Sequence, residues 1–314
     1  ADSIILTEAV SAADVVQVSA VVGTSSDSAE VAASSGFIDS GEDTITTFTP
    51  GVDTIQVTLT NVVNFVHATN TDLGEGDATS EGDDSNSYAT NVGLINTNGA
   101  STDEFGDASD ILINFTSPTT TMTEALFEAA LQYVITGTAA ANTITGGALA
   151  DTINGGDLGD ALNGGGGADD FLYDAFGDGS SAAAEGGTFS GYDVITGFVA
   201  GTDDIDIEVT VDSASVVVAG ADAASAEGND LTSANYLNHD AVLTFINDGT
   251  IENIIESDGD YDAEAEYFFG VTISGVGTVL YEIIDGDVNT VQDGAVALVA
   301  VVSDATLTHA ADFI

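Results

Sequence analysis

The chain has 314 residues, 44% of them hydrophobic, which is enough apolar material for two or more domains and speaks against disorder throughout. It carries 53 acidic residues and no Lys or Arg, a formal net charge of −53. That balance argues against nucleic acid or an anionic membrane as a direct partner, because both are gripped through Lys or Arg on phosphate, and it limits side-chain salt bridges to histidine.

A compact state with this charge repels itself, so its stability is expected to come from bound cations or high salt. Calcium is the natural candidate, since one ion neutralises two carboxylates and ties their loops together. There is no Cys, hence no disulfide and no thiolate metal site. No window approaches the roughly 18 consecutive apolar residues of a membrane helix. The start of the chain lacks the charged region of a secretory signal, so export is expected to be directed from elsewhere.

In chain order, residues 1–60 read as a shortened first roll and its closing strands. Asp2 lies two residues before Ile4 and Asp14 two before Val16, so the segment begins as though partway through a ladder. Ser35 to Val57 aligns without gaps against Glu185 to Ile207, sharing the frame D-x-I-T-x-F-x-x-G-x-D-x-I at an offset of 150 residues. Such a repeat predicts two copies of one module.

Residues 61–136 read as a β-rich region with an acidic loop and one helix. Thr54 to Val66 alternates and is rich in β-branched residues, which predicts one or two strands. Asp72 to Ser87 reads as a solvated acidic loop, in preference to a calcium site, and Asp110 to Phe115 as a strand. Thr121 to Val134 is expected to be helical, with a Thr121/Glu124 capping box and a stripe through Met122, Leu126, Ala129, Ala130 and Tyr133.

Residues 137–210 are read as a roll and its closing strands. Gly137 to Leu172 is GTAAANTIT, GGALADTIN, GGDLGDALN, GGGGADDFL, four consecutive blocks of nine. Each opens with Gly, has Asn142, Asp151, Asp160 or Asp169 at its sixth position, and has Ile144, Ile153, Leu162 or Phe171 at its eighth. The first six residues are too polar and Gly-rich for strand, so each block predicts a turn followed by a short strand. This is the period of a calcium-loaded parallel β-roll.

Glycine permits positive φ and lets carbonyls face a cation, while the Asp supplies a hard anionic oxygen of the kind calcium selects. The candidate ligands are Gly146, Ala148 and Asp151 in the second block and Gly155, Asp157 and Asp160 in the third. Gly164, Gly166 and Asp169 complete the set in the fourth, and Asn142 in the first marks the weakest site. Loops two blocks apart are expected to stack, pairing Asp151 with Asp169 and Asp160 with the loop of Asn142.

These blocks, GGGGADDFL above all, resemble the RTX (repeats-in-toxin) nonapeptides of bacterial type I secretion substrates. Ala140, Leu149 and Leu158 depart from the usual Gly at the fourth position. The resemblance implies calcium as cofactor and the type I secretion machinery as a partner. It also implies that the stretch DVITGFVAGTDDIDI ends the roll.

Residues 211–314 read as a C-terminal antiparallel β region with an export signal. Tyr267 to Ile273, Gly277 to Ile284 and Ala295 to Val302 predict strands separated by Gly and Asp turns, while Tyr236 to Ile246 suits helix or strand. Asp258 to Glu264 and Asp285 to Asn289 imitate EF-hand starts but lack the required Gly and Glu, and are read as polar turns. Asp312-Phe313-Ile314 resembles the uncleaved C-terminal signal of type I substrates.

The expected fold class is thus all-β, a parallel calcium-binding β-roll plus antiparallel sheet or sandwich regions, in two copies of a related module. No enzyme motif emerges. His67, His239 and His309 are far apart in sequence, and Ser190 in GTFSG is one residue off the nucleophile-elbow spacing. The leading expectation is a secreted, calcium-binding structural protein of the cell surface that assembles with itself into a surface layer, filament or matrix. The other is the C-terminal export and adhesion module of a larger secreted adhesin or enzyme.

Overall fold

The computed structural model describes residues 3–5, 15–21, 43–73, 92–95, 111–116, 118–175, 177–179, 181–182, 187–208, 216–219, 231, 233–234, 236–238, 241–242, 245, 267–283, 296–303, 305–307 and 312–313. The fold they describe is mostly β, with parallel and mixed sheets and two short helices. It divides into two compact units, each drawing residues from more than one of the four segments read from the sequence.

The first unit holds β1 (Ser3–Ile5), β2 (Val15–Val21), β3 (Asp43–Thr46), β4 (Thr54–Thr60), β5 (Asn64–Val66), α1 (His67–Asn70), β6 (Thr71–Leu73), β7 (Val92–Ile95), β8 (Ile111–Thr116), α2 (Glu124–Glu128), β9 (Leu131–Thr136), β10 (Thr143–Thr145) and β11 (Thr152–Asn154). One sheet runs β1-β3-β8-β7-β6, parallel across its first three strands and antiparallel beyond. A second places β11, β9, β4 and β2 side by side, with β2, β4 and β9 parallel and Ile55 opposite both Val16 and Leu131. Strand β10 pairs in parallel with β5.

Alternation explains these strands. In β4, Ile55, Val57 and Leu59 are buried while the intervening Thr and Gln are partly exposed, and β9 buries Leu131, Tyr133 and Ile135 in the same rhythm. The edge of Tyr133 meets Phe65 at 5.0 Å between ring centroids, and Phe115 packs between Phe48 and Phe127. Gly93 on β7 leaves room for the Phe127 ring, which a methyl group there would strike.

The segment Thr121 to Val134 departs from the expected helix. Only Glu124–Glu128 is α-helical, Thr123 occupies the N-cap without a side-chain hydrogen bond, and the chain enters β9 at Leu131. The helical stripe and the strand alternation share Tyr133, and the strand prevails because β4 offers a complete ladder. That ladder begins where the Ile55 amide donates to the Ala130 carbonyl at 2.8 Å.

The second unit holds β12 (Ala161–Asn163), β13 (Asp170–Tyr173), β14 (Ser181–Ala182), β15 (Asp193–Thr196), β16 (Asp204–Ile207), β17 (Val216–Ala219), β18 (Tyr267–Ile273), β19 (Gly277–Ile283) and β20 (Val296–Ser303). The hairpins β18-β19-β20 are antiparallel, as expected. The sheet is mixed, however, because β17 joins β18 in parallel and β15 joins β20 in parallel, with β12 on the far side of β15. Seven of the eight residues of β20 are fully buried, the continuous apolar run of a strand covered on both faces. Its core includes Phe245, Phe269, Val279, Tyr281 and Leu298.

Of the ambiguous Tyr236 to Ile246 stretch, Ala241, Val242 and Phe245 are helical. Acidic residues 74–87, 258–264 and 285–289 lie outside the described residues.

The duplicated frame is visible in each unit by itself. Strands β3 and β4 are joined by a turn in which the Thr49 amide donates to Asp53 Oδ2 at 2.6 Å, and β15 and β16 by one in which the Val199 amide donates to Asp203 Oδ2 at 2.7 Å. Gly51 and Gly201 adopt φ of 79° and 75°, and Phe48 and Phe198 are both buried. One position differs in chemistry. Thr47 holds φ 67° where the second copy has Gly197 at φ 73°.

A β-branched residue in the left-handed region costs about 1–2 kcal/mol, against about 0.5–1 kcal/mol of extra chain entropy for Gly. We therefore expect Gly197→Thr to destabilise by about 1–2 kcal/mol and Thr47→Gly to stabilise slightly. Urea unfolding of both variants at one fixed salt and calcium concentration checks this. Losses of equal size would contradict the assigned turn conformation.

Candidate metal centre

Each block begins with residues that cannot hold a strand, and in the first two the sixth-position side chain closes the turn they make. Its oxygen accepts the amide four residues earlier, from Thr138 to Asn142 Oδ1 at 2.7 Å and from Gly147 to Asp151 Oδ2 at 2.6 Å. The side-chain oxygen thus takes the acceptor place that a backbone carbonyl would otherwise fill. Because it faces its own backbone, the carboxylate is removed from water: Asp151 and Asp169 are each 1% exposed and Asp160 2%. Buried ionised groups need compensation, and no basic side chain with a fixed charge exists anywhere in the chain.

In the first unit, turns 18 residues apart stack. The Asp151 amide donates to Asp169 Oδ1 at 2.9 Å, and the Tyr133 amide on β9 donates to Asp151 Oδ1 at 2.7 Å. Gly166 donates to the Gly147 carbonyl at 2.9 Å. The main chains lie so close that a methyl group on Gly146 would collide with Asp151 Oδ2 and the Gly164 carbonyl, and one on Gly165 with the Gly147 carbonyl. Oxygens from two successive turns thus converge where glycine leaves space. Gly146, Asp151, Gly164 and Asp169 meet here, while Ala148 and Gly166 face outward on the exposed rim.

Electrostatics follow from that packing. Burial, with the neighbouring charge of Asp169, pushes the Asp151 carboxyl up from its ordinary 3.8 to about 7, against the lowering effect of the Gly147 and Tyr133 amides. The Tyr133 hydroxyl is pushed well up by burial and by Asp151 and Glu128. His67, whose Nδ1 lies 2.8 Å from that hydroxyl, is lowered by burial. His239 and His309 lie outside the described residues.

In the second unit, Asp160 stacks on a residue that the nonapeptide reading omitted. Its amide donates to Asp193 Oδ1 at 2.8 Å, its carbonyl accepts from the Val194 amide at 2.7 Å, and the Tyr173 hydroxyl donates to Asp193 Oδ2 at 2.9 Å. Burial first, then the charge of Asp160, drives the Asp193 carboxyl well above its usual range.

Asp178 was also omitted. It lies 18 residues after Asp160, accepts from the Asp174 amide at 3.1 Å, and is pushed up to about 6, chiefly by burial. Gly179 donates to the Gly156 carbonyl at 2.9 Å and accepts from the Asp193 amide at 3.2 Å, which seats this fifth turn beside the third.

Signals for both residues were present. Asp178 keeps the period of nine, and Asp193 precedes Ile195 by two, as Asp160 precedes Leu162. Gly155 lies against Asp160 Oδ2, as Gly146 does against Asp151. Asp157 is exposed and bridges Asp178. Leu158, standing where the fourth block has Gly167, takes φ 65° and remains 48% exposed.

Among the described residues, no three His, Cys, Asp or Glu side chains converge as a ready-made metal site. Any cation here would draw on backbone carbonyls together with one or two carboxylates. No protein-family model and no curated protein matches the chain.

The Asp151 shift has a definite sign. Between about pH 4 and 7 the folded state holds a proton that the unfolded state has released, so without a bound cation stability is highest in acid and falls as pH rises through about 7. In chelator at constant ionic strength, the urea midpoint should fall from pH 5 towards pH 7, until no folded baseline remains at pH 8. Asp151→Asn, which keeps an oxygen acceptor without the charge, should flatten that slope. A midpoint that rises over this range in the parent chain would contradict the assignment.

Proposed function

We propose that the chain is a secreted, calcium-ordered structural protein that assembles with itself at or beyond the cell surface, and that residues 137–210 form an RTX-type β-roll. The observation that carries this reading is the convergence of buried turn oxygens in a chain with no basic residue. Asp151, Asp169 and the Gly164 carbonyl lie together where Gly146 leaves room.

The donor set fits the group. Calcium takes six to eight oxygens from carboxylates and carbonyls in flexible geometry, and these turns offer both kinds from stacked coils. Gly146 and Gly164 hold the coils close, Asp151 and Asp169 supply charge, and the Gly147 and Tyr133 amides fix the Asp151 carboxylate in orientation. In the second unit Asp160 and Asp193 would play the same part, with Tyr173 orienting Asp193. When bound, calcium would supply the positive charge that these carboxylates lack.

With 53 acids in the chain, two copies approach only when cations neutralise the faces between them, because sodium screens within about 8 Å but does not bridge. The reading therefore makes calcium both a folding ligand and a condition for assembly, and type I secretion the route outward.

At pH 8, where these carboxyls are ionised, chelator is expected to abolish the β signal in circular dichroism, and sodium chloride of equal ionic strength should not restore it. An unchanged spectrum in chelator at low salt would refute calcium ordering. Asp169→Ala should also lower the measured calcium stoichiometry or affinity more than Asn142→Ala does, since Asn142 contributes no charge. Equal losses would refute the assigned ranking.

A further inference from the structure

The two copies of the duplicated module differ at one edge. In the first, β4 is paired in parallel on both sides, by the seven-residue strand β2 with Val16 opposite Ile55 and by β9 with Leu131 opposite Ile55. In the second, the equivalent strand β16 pairs with β13, which sets Phe171 opposite Ile205 as β2 sets Val16 opposite Ile55. Among the described residues the other side of β16 meets one isolated bridge, from Phe313 to Ile205. Ile205 is the counterpart of Ile55 and Phe171 that of Val16, so Phe313 stands where Leu131 of β9 stands in the first copy. Asp312 anchors it by accepting the Gly201 amide.

Strand β2 is itself the last of its sheet. The two most exposed large hydrophobic residues described in the molecule flank these edges: Val15 on β2 at 58%, and Val199, in the turn leading into β16, at 54%. Open edges beside exposed apolar side chains are templates for strand addition. The charge pattern allows the pairing. Strand β16 reads DIDI and already sets Asp204 opposite Asp170, whereas β2 reads VVQVSAV and carries no charge.

We propose that β16 of one copy receives β2 of a second copy in parallel, with Val15 opposite Asp204, Val16 opposite Ile205 and Gln17 opposite Asp206. Strand β2 then takes beside β16 the place that β9 holds beside β4, with Val16 opposite Ile205 as Leu131 is opposite Ile55. The one-residue Phe313 bridge yields to the longer ladder, and the Gln17 amide gains a carboxylate partner at Asp206. Main-chain hydrogen bonds carry the contact, so it needs no Lys or Arg. The two edges differ, which makes the contact heterologous and able to propagate from copy to copy. The inference rests on the self-assembly proposed above and names its interface.

The chain contains no Cys, which makes cross-linking a direct test. Parallel neighbours lie within the Cα separation that a disulfide spans, about 4.4–6.8 Å. Val15→Cys and Asp204→Cys proteins, mixed in calcium and mildly oxidised, should give roughly tenfold more intermolecular disulfide than Val63→Cys mixed with Asp204→Cys. Gln17→Cys with Asp206→Cys repeats the test in the same register should either first variant fold poorly. Light scattering is followed on the same samples. Particles without excess cross-linking in both pairs would overturn the strand contact and leave calcium-driven assembly standing. Absence of particles in calcium would overturn both.

Discussion

A carboxylate that closes its own turn, out of water and in a chain without Lys or Arg, is the constraint on which the rest of this structure depends. The turn needs the oxygen: Gly147 donates to Asp151, Thr49 to Asp53 and Val199 to Asp203, each across four residues. Coil stacking needs it again, because Asp169 and Asp193 accept from the amides of Asp151 and Asp160. Each such oxygen therefore organises two levels of structure, and each adds to a net charge of −53. Backbone amides supply partial compensation, while burial works against it and holds the Asp151 and Asp193 carboxyls above their usual range. The proposed calcium would relieve that opposition without altering the turns.

Duplication gives the same frame two different surroundings. In the first unit β4 is paired by both β2 and β9, whereas among the described residues β16 pairs with β13 and meets one isolated bridge on its other side. The turn itself is indifferent to this, since the Asp53 and Asp203 geometries agree and Gly51 and Gly201 share one conformation. Local residues thus determine the turn, while neighbouring strands determine whether its edge is closed. An edge left open carries a risk of uncontrolled association, and Asp204 and Asp206 on β16 place charge there.

Much of this was legible from residue spacing because the signals are local and repeated. A glycine-to-Asp interval recurring every nine residues defines turn and strand together, and seven identical positions in a thirteen-residue frame, repeated at an offset of 150 residues, define the second copy. The chain between Thr121 and Val134 was not legible in that way. Its apolar residues satisfy a helical stripe and a strand alternation at once, and the choice lies with β4, far away in sequence. Asp193 escaped the nonapeptide reading for a related reason. The segment between Asp178 and Asp193 breaks the period, and only the fold returns that residue to the Asp160 turn. The parallel joining of β15 to β20 is likewise a long-range pairing that no local pattern announces.

Calcium binding measured by titration calorimetry near pH 6, in two buffers of different ionisation enthalpy, tests the central proposal most directly. Buried carboxyls held above their ordinary range must surrender protons to admit the cation. The account predicts binding accompanied by proton release that diminishes at pH 8, with the release reduced in Asp151→Asn. Absence of calcium binding, or binding with the same heat in both buffers at pH 6, would contradict it.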